Sequence, residues 1–147
     1  MSLKQLFPLI IILCGFTACD QSDDPGDIQK TINDCDFETI VDANEYENIN
    51  SDDFELSNIA IQDNCLSLEI TASGCDGDSW EIRLIDSQAI LESNPEQRNL
   101  KIDFTNQEDC RSTVSRTFSF DLNTVQINGN NVKLNIVNAD KSILYDY

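Results

Sequence analysis

The chain has 147 residues, 27 Asp and Glu against nine Lys and Arg, and a formal net charge of −18. That balance excludes a nucleic-acid partner, because nothing could neutralise a run of phosphates. It equally excludes a basic patch resting on anionic lipid. Six cysteines with no histidine exclude His-based general-base and Ser-His-Asp or Cys-His nucleophile systems. No C-x-x-C spacing marks a zinc site, and an even set of cysteines points to disulfides in an oxidising compartment.

One lysine, Lys4, precedes a short apolar run from Leu6 to Phe16, too short for a spanning helix. Phe16-Thr17-Ala18-Cys19 follows. It resembles a bacterial lipobox, in which a small residue precedes the cysteine that is lipidated and becomes the mature N-terminus. Phe16 departs from the leucine that the family prefers; Thr17, Ala18 and Cys19 fit. Cys14 fits worse, because Leu13 stands where a small side chain is needed. The resemblance implies a signal peptide over 1–18, palmitate-type acylation at Cys19, and a membrane partner through that lipid alone. A cleaved secretory signal is the plainer alternative.

Residues 19–34 are expected to form an acidic flexible tether: Asp20, Asp23, Asp24 and Asp27 surround a Pro-Gly pair. The tether is similar to the acidic segment that sends Bacteroidetes lipoproteins to the cell surface, which implies a lipid-anchored outer-membrane address facing outward. Asp beside the lipidated cysteine in the enterobacterial scheme implies inner-membrane retention, so a periplasm-facing orientation is the alternative.

From 35 to 147 the pattern is that of strands. Phe37, Ile40 and Val41 are expected to enter the core. Phe54–Ile61 reads as a strand. Leu66, Leu68, Ile70 and Ala72 alternate with polar residues, and so do Trp80, Ile82 and Leu84. The turn residues Ser73–Ser79 between them predict a hairpin. Ser87–Asn99 reads as a long connection, with Ile90 and Leu91 dipping into the core. Leu100, Ile102 and Phe104 mark another strand, and Val114–Leu122 the next. Asn128-Gly129-Asn130-Asn131 predicts a hairpin between Val125–Ile127 and Val132–Ile136. Asn138–Lys141 turns into a closing strand, Ser142–Tyr147. Seven or eight short strands with little helix predict an all-β, antiparallel, immunoglobulin-like sandwich stapled by disulfides; a small barrel is the competitor.

Strand direction selects the pairing of four cysteines. With Leu66–Ala72 running up, Cys75 lies at the top, and Cys110, after an upward Leu100–Thr105, lies beside it. Cys65 stands roughly 25 Å below, whereas a bridge needs Cα atoms within about 7 Å. The expected bridges are Cys75–Cys110 and Cys35–Cys65. Catalytic or metal-binding thiols are the alternative use.

Asp76 and Asp78 flank Gly77 and are the candidate ligands for calcium. They lack the spacing and distal Glu of an EF-hand, and Asp and Gly are first of all turn residues. Trp80 with Tyr46, Tyr145 and Tyr147 could form a sugar-stacking platform, but Trp80 shares the phase of Ile82 and Leu84, which places it in the core. Arg83, Arg98, Arg111 and Arg116 are scattered and expected to pair with neighbouring acids. No two of the acids stand out as a glycosidase pair. The sum is a non-enzymatic envelope module without a cofactor, taking a protein or glycan ligand. A partner-stabilising subunit, or a small inhibitor or immunity-type lipoprotein using Ser87–Asn99 as its contact, are the alternatives.

Overall fold

The computed structural model describes residues 35–147. The segments expected to be a signal peptide (1–18) and a tether (19–34), with the expected lipidation site Cys19, lie outside the described residues. Two β-sheets face each other across a single apolar layer, the all-β sandwich expected from the alternation. One sheet has the order β1-β7-β4-β3 and the other β2-β5-β6-β8-β9. The strands are β1 (Phe37–Glu38), β2 (Ile40–Val41), β3 (Glu55–Gln62), β4 (Cys65–Gly74) and β5 (Glu81–Leu91), then β6 (Gln97–Thr105), β7 (Ser112–Asp121), β8 (Asn131–Ile136) and β9 (Lys141–Asp146). A five-residue helix, α1 (Ala43–Glu47), lies between β2 and β3, and its N-terminus is capped by the Asp42 side chain accepting from Glu45 N–H.

Each strand buries one phase. Leu66, Leu68 and Ile70 of β4 and Phe120 of β7 point inward from the first sheet. Ile82 and Leu84 of β5, Leu100, Ile102 and Phe104 of β6, Val132 and Leu134 of β8, and Tyr145 of β9 meet them from the second. Trp80 stands edge-on to Phe104, ring centroids 5.2 Å apart. Ile85 has the outward phase of β5 and is nonetheless fully buried; α1 packs against that strand.

Three expectations about connection are corrected. Residues 65–86 are not a hairpin: β4 and β5 belong to different sheets, and Cys75–Trp80 crosses between them. Period-2 burial tells which face of a strand is covered, not which strand lies beside it. Ser87–Asn99 is not a long connection either. β5 continues to Leu91, β6 begins at Gln97, and the hairpin between them is paired up to Leu91–Gln97. Ile90 and Leu91 are 48% and 41% exposed rather than core residues. Finally, Val125–Ile127 is not a strand: Asn123–Val125 is a 3-10 turn, and β8 pairs in parallel with β6 and antiparallel with β9. Near the N-terminus, Val41 packs on the core, but Phe37 stays 43% exposed against the rings of Phe118 and Phe120.

Candidate functional site

Both disulfides close as the strand directions require, Cys35–Cys65 with Cα atoms 5.6 Å apart and Cys75–Cys110 with 4.9 Å. The reason differs from the one anticipated for the second. Gly74 of β4 pairs with Ser112 of β7, so Cys75 and Cys110 flank one rung of a ladder instead of two neighbouring hairpin ends.

The loop after β4 carries the candidate calcium ligands Asp76 and Asp78, and both carboxylates have partners within the protein. Asp78 pairs with Arg116 at 2.5 Å, and Asp76 accepts from the Asp78 backbone N–H at 3.0 Å. The inward-facing atoms are donors. Glu108 brings its carboxylate to them and accepts from Cys75 N–H at 2.5 Å, Gly77 N–H at 3.1 Å and the Ser79 hydroxyl at 3.0 Å. Desolvation raises the Glu108 pKa, but the hydrogen bonds from Cys75, Ser79, Gly77 and Asp76 outweigh it and bring it down to about 2. Gly77 takes φ +77°, and a Cβ on Gly74 would collide with the Glu108 carboxylate. Among the described residues, no group of three or more His, Cys, Asp or Glu side chains is arranged to hold a metal.

At the opposite end of the sandwich, a buried ion pair underlies the β5–β6 hairpin. Asp86 is fully buried and Arg98 is 6% exposed. The guanidinium reaches both carboxylate oxygens, Nη2 to Oδ1 at 2.6 Å and Nε to Oδ2 at 3.0 Å. Gln88 N–H also donates to Asp86 Oδ1 at 2.7 Å, in a stretch where the β5–β6 register shifts and Gln88 takes φ +65°. Beyond this anchor, residues 88–94 are exposed without a break. The turn is tied by the Ser93 hydroxyl donating to Pro95 O and accepting from Gln97 Nε2. The result is an exposed hairpin end with two consecutive aliphatic residues, Ile90 and Leu91, one on each face of the strand, and a braced base.

The aromatic platform does not assemble on the surface. Trp80, Tyr46 and Tyr145 are buried, and the Tyr145 hydroxyl is spent on Asn64. Of the four arginines, Arg83 pairs with Glu45 and Asp103, Arg98 with Asp86 and Arg116 with Asp78. The recesses are open grooves. One of about 410 Å³ lies between Ile49–Phe54 and the pair Lys101 and Asn138. Sequence reasoning missed Glu108 and the depth of Arg98. For Arg98 the signal existed: it shares the buried phase of Leu100, Ile102 and Phe104.

No protein-family model matches the chain, and no curated protein matches it. Solved structures do. A NigD-like immunity protein from Bacteroides caccae aligns over 74% of this chain at 12% identity, with a TM-score of 0.50. A Bacteroides vulgatus protein of unknown function, DUF1344, aligns over 76% at 15% identity, with a TM-score of 0.48. The chain spans less than two thirds of either structure, 59% and 56%. At 12% identity the likeness to the NigD-like protein is one of fold alone.

Proposed function

We propose that this chain is a non-catalytic envelope lipoprotein, anchored through a lipidated Cys19 and displayed outward, that grips a protein partner with the β5–β6 hairpin end. The observation that supports this is the pair Ile90 and Leu91, 48% and 41% exposed on a hairpin braced by a buried salt bridge. Exposed aliphatics on a rigid projection lose little conformational entropy on docking and gain apolar burial. The net charge of −18 steers such a module toward basic partners. An inhibitor or immunity-type role is the more specific form of this reading. It is favoured by the fold shared with the Bacteroides caccae immunity protein.

The test is a photo-crosslinking amino acid placed at Leu91 in cells, with Ser115 on the outer face of β7 as control. A discrete protein adduct from Leu91 and none from Ser115 is expected. No adduct at Leu91, or the same adducts from both positions, overturns the reading. Intact mass of the native protein reports the acyl chains on Cys19. Protease shaving of intact against lysed cells separates outward display from a periplasm-facing orientation.

A further inference from the structure

We propose that the Cys75–Ser79 loop is an oxyanion receptor whose ligand in this fold is Glu108, and that an external carboxylate or phosphate takes the same place when Glu108 is removed. Closely spaced backbone N–H groups wrapped around one concavity form a nest suited to anions. Here Cys75 N–H, Gly77 N–H and the Ser79 hydroxyl converge on one carboxylate that comes from 29 to 33 residues away. The occupant is thus foreign to the loop it fills. Its own segment is held separately: Asn106 Oδ1 accepts from Glu108 N–H, Asn106 Nδ2 donates to Ser73 O, and Cys110 is bonded to Cys75.

A second observation points the same way. The Trp80 indole N–H has no hydrogen-bond partner, although the residue is only 7% exposed. A buried donor left unpaired is costly, because the hydrogen bond it makes to water when exposed is lost and nothing replaces it. Trp80 Nε1 lies 3.2 Å from the position that a Gly74 Cβ would occupy, and the Glu108 carboxylate crowds that same position. The glycine therefore lets the carboxylate pack in where a side chain would clash, with the unspent indole donor beside the same position. A two-oxygen carboxylate uses the backbone donors; a tetrahedral oxyanion has an oxygen to spare for the indole. The candidate calcium ligands do not compete, since Asp78 is engaged by Arg116 and Asp76 by the Asp78 backbone.

The test uses the full chain carrying Glu108→Gly and titrates sodium acetate, and separately inorganic phosphate, against sodium chloride at matched ionic strength. Trp80 is the only tryptophan, so its emission reports the site. A saturable change in that emission is expected in the variant, with Tm rising about 4–7 °C at ten times the dissociation constant. Wild type, its nest filled, stays flat. Acetate acting alone identifies a carboxylate receptor; phosphate acting with the larger Trp80 change identifies a tetrahedral-oxyanion receptor. No response beyond chloride, or an equal response in wild type, overturns the proposal. Should E108G not fold, Glu108→Ala is read by hydrogen exchange at the Cys75 and Gly77 amides: protection that acetate or phosphate restores supports the receptor, and protection that neither restores overturns it. None of these readouts involves Ile90 or Leu91, so they are independent of the partner-binding role.

Discussion

Arg98→Ala is expected to be among the most damaging single substitutions in the domain. The guanidinium makes two short bonds to a carboxylate with no solvent exposure. Without it, Asp86 keeps the Gln88 N–H as its side-chain donor. Removing one partner of a buried pair costs about 3–5 kcal/mol, because the remaining charge has neither water nor counter-ion. The lost aliphatic stem adds to this. For a domain of this size that is a fall in Tm of roughly 10–25 °C. Equilibrium urea unfolding, followed by Trp80 fluorescence without reductant, measures it. The control is the double substitution Asp86→Leu with Arg98→Met, which removes both charges and fills similar volume. It is expected within about 2 kcal/mol of wild type. A loss under about 1 kcal/mol for R98A, or a double variant no better than the single, would refute the reasoning.

Other expectations concern the top of the sandwich and the core. Replacing Cys75 and Cys110 together by alanine opens a link across 35 residues and should cost roughly 3–4 kcal/mol by chain entropy, read in the same urea assay; unchanged stability would show that the reduced chain keeps that contact unaided. The Glu108 pKa of about 2 lies below its ordinary 4.5, so the carboxylate's contribution is full above about pH 4.5 and is lost as pH falls toward 2. Acid unfolding of wild type against Glu108→Gln checks this: the stability gap should be constant from neutral pH down to about 5 and shrink below it, and a gap that widens on acidification would contradict the sign. Phe104→Ala should cost about 3–5 kcal/mol, because the ring is fully buried between Phe54 and Trp80; a cost under about 1 kcal/mol in calorimetry would place the core elsewhere.

The alternation of Leu66, Leu68 and Ile70, and of Leu100, Ile102 and Phe104, is enough to determine a two-faced strand, because a period of two has one physical meaning: one side meets apolar atoms and the other meets water. From several such strands an all-β sandwich follows, and the cysteine pairing follows from chain direction and the short reach of a disulfide. Even Arg98 could have been read. An arginine in phase with Leu100, and Asp86 in phase with Leu84, each require a buried counter-charge.

What tertiary structure alone decided is which strand lies beside which. Cys75–Trp80 crosses to the other sheet rather than folding back, since a turn-rich segment serves either connection equally. The same holds for the nest. Cys75-Asp76-Gly77-Asp78 displays two carboxylates in the sequence, yet the atoms that face inward are backbone N–H groups, and their acceptor arrives from Glu108 on a distant loop. Backbone polarity is identical at every residue; only the conformation decides where it points, and only the fold decides what meets it.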